Sequence, residues 1–218
     1  MTLAEKAYAA LRHDIIRGEL PPGKPLRMAD LSTRYDMGFS PLREALNRLQ
    51  AERLVEAVAL RGFTVAPLSL AEMEDALRLR ILIESEALRS AILLGGDDWA
   101  SGIVAALYAL KLQVDRRSEG GDVWELETRH HAFHRALLVA CGSVWMLEFF
   151  ERLYTATERY RIPILLDQGA ESGRDIHAEH AAIAEAVLAR RADDAVALLA
   201  AHYTQTAQAI AAKMAVTG

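Results

Sequence analysis

The sequence predicts a mainly α-helical protein, in which three helices and a β-hairpin precede an all-helical bundle. Apolar residues recur at helical spacing along most of the 218 residues. Breaks rich in glycine, proline or acidic residues divide this pattern into segments. Strand-like alternation occurs only near residues 54–67. These observations predict two domains, one spanning residues 1–66 and the other spanning residues 67–218.

The N-terminal domain contains three helical segments. The first covers residues 3–17, and "MADLSTRY" at residues 28–35 is the second. The third is "PLREALNRLQAE", for which Ser40 is the predicted N-cap and Pro41 the first helical residue. "LVEAVA" and "GFTVAP" then alternate around Gly62, which predicts a β-hairpin.

This order of elements is that of a winged helix–turn–helix, whose third helix enters the major groove of double-stranded DNA. The predicted outward residues of that helix are Arg43, Asn47 and Arg48, which suit phosphates and base edges. Arg61 and Gly62 lie at the predicted wing tip, where an arginine can reach a phosphate or the minor groove. A solvated charged helix face is the alternative interpretation.

Composition limits the classes of protein to which the chain can belong. The net charge is −5, but residues 1–66 carry +2 and residues 67–218 carry −7. A single cysteine excludes an internal disulfide, and the N-terminus does not resemble a signal peptide. No apolar run is long enough to span a membrane. We therefore expect a cytoplasmic protein with a DNA-binding domain and an acidic second domain.

The second domain is predicted to be an all-α bundle of about six helices, with loop lengths normal for antiparallel neighbours. The predicted helices span residues 69–94, 97–116, 122–141, 143–160, 172–190 and 192–213.

Histidines within this bundle form a candidate metal site. His130 and His134 are four residues apart and share a helix face, whereas His131 is turned by about 100° from His130. His180 and His202 adjoin apolar stripes of two other helices. Inward-facing imidazoles from several helices can bind a transition metal, but hydrogen-bonded core histidines fit the same pattern. Arg80, in an apolar neighbourhood, could bind a carboxylate ligand beside such a metal.

Three functional classes fit these features: a DNA-binding regulator, a metal-dependent helical enzyme with an accessory winged helix, and a protein-binding winged helix with a structural metal. The third would not need Arg43 and Arg48 to face outward together. The sequence has no H-E-x-x-H motif and no glutamate placed as an obvious base between the histidines. Because catalysis would require such a base and ligand binding would not, we expect a regulator and not an enzyme.

The N-terminal domain resembles the GntR family of bacterial transcription regulators. The resemblance rests on "IIRGELPPG", "PLREALNRLQAERLV" and "RGFTV". The second domain resembles the FCD effector domain of the family's FadR branch, through "RILIE", "FHRAL", "HAAIAEAV" and His202 in the last helix. "DVWELETRHHAFHRALLVACGS" is also similar to glutarate-sensing carbon-starvation regulators of that branch.

The resemblance implies a homodimeric regulator, which we expect to be a repressor, with a small carboxylate or dicarboxylate as effector. Many FCD domains bind a divalent metal through an aspartate and three histidines, which fall here on His134, His180 and His202. The aspartate position is His130, so this residue is expected to complete the ligands or to contact the effector. Imidazole ligands favour zinc, with nickel or manganese as alternatives. Arg80 is expected to anchor the effector.

Overall fold

The computed structural model describes residues 1–59, 62–117, 121–166 and 175–217. It confirms the mainly α fold class, with a small antiparallel sheet near the N-terminus. Contacts divide the chain into two compact units. The first comprises Met1–Ser69 and Glu158–Pro163, and the second comprises Leu70–Thr157 and Ile164–Gly218.

The first unit contains the winged helix–turn–helix. Its elements are α1 (Leu3–Ile16), β1 (Pro25–Leu26), α2 (Met28–Tyr35), α3 (Phe39–Ala51), β2 (Val55–Val58) and β3 (Gly62–Val65). The strands are antiparallel in the order β1-β3-β2, and Val55 is opposite Val65. Leu11, Leu42 and Leu46 are fully buried in the core that joins these elements. The Asp14 carboxylate accepts hydrogen bonds from Arg34 and Tyr35, which ties α1 to α2.

Two details of this unit differ from the prediction. The segment Pro25–Leu26 adds a third strand to the predicted hairpin by pairing with β3 at the edge of the sheet, where proline's missing N–H is tolerated. The third helix begins at Phe39 with Gly38 as its N-cap, so the prediction of Ser40 as N-cap is wrong. Pro41 still lies in the first turn, where the backbone N–H groups have no partner within the helix.

The second unit is built from long helices. They are α4 (Leu70–Leu94), α5 (Asp97–Arg117), α6 (Val123–Leu138), α7 (Val144–Leu166), α8 (Ile176–Leu188) and α9 (Ala192–Thr217). The predicted α6 ends three residues too late, because the chain turns after Leu138 towards Gly142, whose φ is +73°. Residues 172–174, predicted to begin α8, lie outside the described residues. None of the helices in the described ranges is long and apolar enough to cross a membrane.

Candidate functional site

One face of α3 is buried and the other is exposed. Leu42, Leu46 and Leu49 pack inward, whereas Arg43 and Asn47 lie exposed on the opposite side. The side chains of Arg43 and Asn47 make no hydrogen bond or ion pair with another described residue, so both can contact DNA without breaking an internal side-chain interaction.

Arg48 is also exposed, but it already has partners within the first unit. Its guanidinium lies 3.7 Å from the centroid of the Tyr8 ring, and its Nε is 3.5 Å from Oε1 of Glu52. Gly62 opens β3 with φ of +82°, a conformation that favours glycine. Arg61, the predicted wing-tip contact, lies outside the described residues.

Four histidines of the second unit converge on one point. His130 and His134 project from α6, His180 from α8 and His202 from α9. One ring nitrogen of each lies within 4.8 Å of the corresponding nitrogens of the other three. The Nε2 of His134 is 3.2 Å from the Nε2 of His130 and 3.3 Å from that of His180. His130 is half-buried and the other three are buried.

Hydrogen bonds to the Nδ1 atoms determine which ring nitrogen of each α6 histidine carries the lone pair. The Tyr154 hydroxyl lies 2.8 Å from Nδ1 of His130 and donates its hydrogen to Oε1 of Glu127. Since that hydroxyl has only one hydrogen, it accepts from His130. The neutral imidazole of His130 therefore carries its hydrogen on Nδ1 and its lone pair on Nε2.

The same argument holds for His134. Its Nδ1 is 3.0 Å from the Tyr203 hydroxyl, which donates its hydrogen to Oε2 of Glu84 at 2.5 Å. The Tyr203 oxygen also accepts a hydrogen bond from Nη2 of Arg80. The Nδ1 of His134 must then be the donor, and its lone pair faces the cluster on Nε2.

The remaining two histidines have Nδ1 partners that can only accept. The Nδ1 of His180 is 2.6 Å from the carbonyl oxygen of Ile176, one turn earlier in α8. The Nδ1 of His202 is 2.7 Å from Oε2 of Glu179. All four imidazoles therefore present an Nε2 lone pair to the others, an arrangement suited to a metal cation.

Burial keeps the two innermost imidazoles neutral. It lowers the pKa of His134 well below its ordinary value, and the neighbouring histidines lower it further. Burial also lowers the pKa of His180 to about 3, with a further contribution from His202. Near neutral pH, protons therefore do not compete effectively with a metal cation for the lone pairs of these two imidazoles.

The predicted effector residue Arg80 lies inside the bundle with 1% of its side chain exposed. Its Nε donates to Oε1 of Glu84 at 2.7 Å, and its Nη1 donates to Oγ1 of Thr157 at 3.2 Å. An effector carboxylate that reached Arg80 would therefore have to share or displace the carboxylate of Glu84.

His131 lies outside the four-histidine cluster. Its Nε2 is 2.7 Å from Oε2 of Glu151, and its ring stacks on Phe150. The sequence reasoning did not identify Tyr154 and Tyr203 as partners of the histidines. Apolar periodicity could not predict these partners, because each tyrosine lies on a different helix from the histidine that it contacts.

Comparison with known proteins identifies the two domains. Residues 3–65 match the family "Bacterial regulatory proteins, gntR family", and residues 75–205 match the "FCD domain". The structure of Escherichia coli McbR/YncC shares the fold, with a TM-score of 0.78 over 98% of this chain and 99% of that chain at 19% identity.

Two regulators are similar along most of their length. The chain is 40% identical to the HTH-type transcriptional repressor GlaR of Escherichia coli (strain K12), over 89% of this chain and 90% of GlaR. It is 38% identical to the uncharacterized HTH-type transcriptional regulator BphR of Paraburkholderia xenovorans (strain LB400), over 92% of this chain and 82% of BphR. These relatives confirm a regulator and not a metal-dependent enzyme. The chain belongs to the GntR family of bacterial transcription regulators, as a DNA-binding regulator that carries an FCD domain.

Proposed function

We propose that this regulator is a homodimeric repressor whose helical domain binds a divalent metal and a small carboxylate effector. The observation that carries the proposal is the convergence of one ring nitrogen from each of His130, His134, His180 and His202. Effector binding would alter the packing of the bundle and the spacing of the two DNA-binding units, and so shift an equilibrium between operator-bound and released states.

The distances within the cluster support a metal. A tetrahedral ion with metal–nitrogen bonds of about 2.0–2.1 Å separates its ligand atoms by roughly 3.3 Å. The two Nε2–Nε2 distances from His134, 3.2 and 3.3 Å, agree with that separation. Two neutral imidazoles that face each other through lone pairs gain nothing from this proximity unless a cation lies between them.

The carboxylates around the cluster support a metal cation. The described side chains that hold the histidines, directly or through a tyrosine, include the carboxylates of Glu84, Glu127 and Glu179 and the guanidinium of Arg80. Carboxylates that accept hydrogen bonds from ligand histidines, or from the tyrosines that contact them, stabilise positive charge at the ligand atoms, so a metal cation is a suitable occupant of the cluster.

The ligand atoms favour zinc, with nickel or manganese as alternatives. Four neutral imidazole nitrogens suit borderline transition metals better than hard cations, which prefer oxygen. Neutral ligands also leave the full charge of the ion at the site, so a carboxylate is the effector class that it would attract. His130, the least buried of the four histidines, marks the side from which an effector would approach.

Exposed apolar residues of the second unit support a homodimer. Leu82 on α4 is 68% exposed, and Val104 on α5 is 53% exposed. Exposed apolar side chains contribute to a protein–protein interface where they form one patch. A dimer would also present two copies of α3 to a palindromic operator.

Replacement of Arg43 by alanine is expected to weaken binding to the operator by about 1–3 kcal/mol, because we infer that this exposed side chain on α3 binds a base edge. Fluorescence anisotropy on an operator selected from random duplexes would measure the loss. Arg17→Ala is the control, since it removes the same charge from the C-cap of α1. Equal affinities of the two variants for operator would contradict direct base recognition by Arg43.

Replacement of His130 by alanine is expected to weaken zinc or effector binding, whereas His131→Ala should leave both unchanged. Loss of a metal ligand should lower the metal affinity by more than the roughly 10–100-fold that substitutions of the surrounding residues cause. His130→Asp should keep the metal and shift the preference towards manganese, because a carboxylate oxygen is a harder ligand.

Elemental analysis of untagged protein tests for the metal and is expected to give close to one metal per chain. Calorimetric titration of each variant with zinc, and then with glutarate, measures the predicted losses of binding. His131 is the matched control, because it is the next residue of α6 but contacts Glu151 instead of the cluster. Absence of metal in wild-type protein, together with no gain in melting temperature from zinc, nickel or manganese, would reject the metal proposal.

A further inference from the structure

Two tyrosine hydroxyls separate the α6 histidines from buried carboxylates. Tyr154 belongs to α7 and Tyr203 to α9, and only 3% and 2% of these residues, respectively, is exposed. Each hydroxyl donates its single hydrogen to a glutamate and offers its oxygen to the Nδ1 of a histidine. The hydroxyl thereby imposes one tautomer on a ring that could otherwise hold its hydrogen on either nitrogen.

Within the four-histidine cluster, the two α6 histidines are the ones that reach a carboxylate through a tyrosine hydroxyl. His180 donates to a carbonyl oxygen of its own helix, and His202 donates to a carboxylate of α8. His130 and His134 instead reach their carboxylates through a tyrosine of another helix, which is α7 for His130 and α9 for His134. Removal of one hydroxyl oxygen should therefore release one ring of the cluster and leave the partners of the other three in place.

We propose that Tyr154 and Tyr203 are positioning residues of the metal centre, each of which holds one α6 histidine in the tautomer and orientation that direct its Nε2 to the ion. Tyr154 acts on His130, and Tyr203 acts on His134. This inference rests on the proposed function, since it requires that the four histidines bind a divalent metal.

The test compares Tyr154→Phe and Tyr203→Phe with wild-type protein. Phenylalanine keeps the ring and its packing but removes the oxygen that accepts from Nδ1. Zinc affinity, measured by competition with a chromophoric chelator, is expected to fall by about 10–100-fold in each variant. Tyr108→Phe is the matched control, because this tyrosine of α5 is 63% exposed, and it should keep the wild-type affinity.

A second measurement separates positioning from a general loss of structure. Histidine ¹⁵N spectra of the metal-free proteins report the tautomer of each ring. We expect His134 to populate a second tautomer only in Tyr203→Phe, and His130 only in Tyr154→Phe. Unchanged tautomers would overturn the inference even if the zinc affinity fell, because the loss would then arise from packing.

The outcomes also distinguish this inference from the proposed function. Wild-type zinc affinity in both variants would overturn the positioning role alone. Absence of zinc binding by the wild-type protein would overturn the metal centre and the positioning role with it.

Discussion

Replacement of Glu84 by alanine is expected to lower the free energy of unfolding by about 3–5 kcal/mol. Glu84 and Arg80 each expose 1% of their side chains, and their ion pair is 2.7 Å long. Removal of the carboxylate takes from Arg80 the charge that balances it and from Tyr203 the acceptor of its hydroxyl hydrogen. A buried charge that loses its partner costs far more than the pair contributes when intact.

Asp75→Ala provides the control for this prediction. Asp75 pairs with Arg78 on the same helix at 2.8 Å, but these side chains are 62% and 73% exposed. Because solvent screens exposed ion pairs, its loss should change the free energy of unfolding by less than about 1 kcal/mol. Urea denaturation of both variants measures the difference. Similar losses in the two variants would show that burial does not govern the contribution of the Arg80–Glu84 pair.

Local sequence patterns predict the helices of this protein well. The periodicity of α3 predicts Arg43, Asn47 and Arg48 on its outward face, and all three are exposed. The start of the same helix was misplaced because Ser40 and Pro41 are typical of a helix N-terminus, whereas the chain enters the helix at Phe39. The position of a helix cap depends on the backbone angles of one or two residues, and amino-acid composition does not determine those angles.

The candidate site was predictable only in part. Four-residue spacing places His130 and His134 on one face of a helix, but no spacing relates them to His180 or His202. The resemblance to FCD domains joined those four residues. Neither source could pair Tyr203 with Glu84, because their hydrogen bond joins residues 119 positions apart. Such contacts arise from the packing of α4 against α9, which local sequence patterns do not encode.

The metal-free protein is expected to lose stability as the pH falls from about 7 to about 5. Burial lowers the pKa of His134 well below its ordinary value and that of His180 to about 3. In the unfolded chain both have pKa values of about 6.5, so in this range the unfolded state binds protons that the folded state does not. Each histidine then contributes up to about 1.4 kcal/mol of destabilisation for each pH unit below about 6.5.

Urea denaturation of chelator-treated protein at pH 7 and pH 5 measures this loss. His180→Asn removes one titrating ring and should reduce the pH dependence, whereas His131→Gln, which changes a ring outside the cluster, should leave it unchanged. Equal stability of the metal-free wild-type protein at the two pH values would contradict the prediction. Zinc should stabilise the protein more at pH 7 than at pH 5, because protons and the ion compete for the same Nε2 lone pairs.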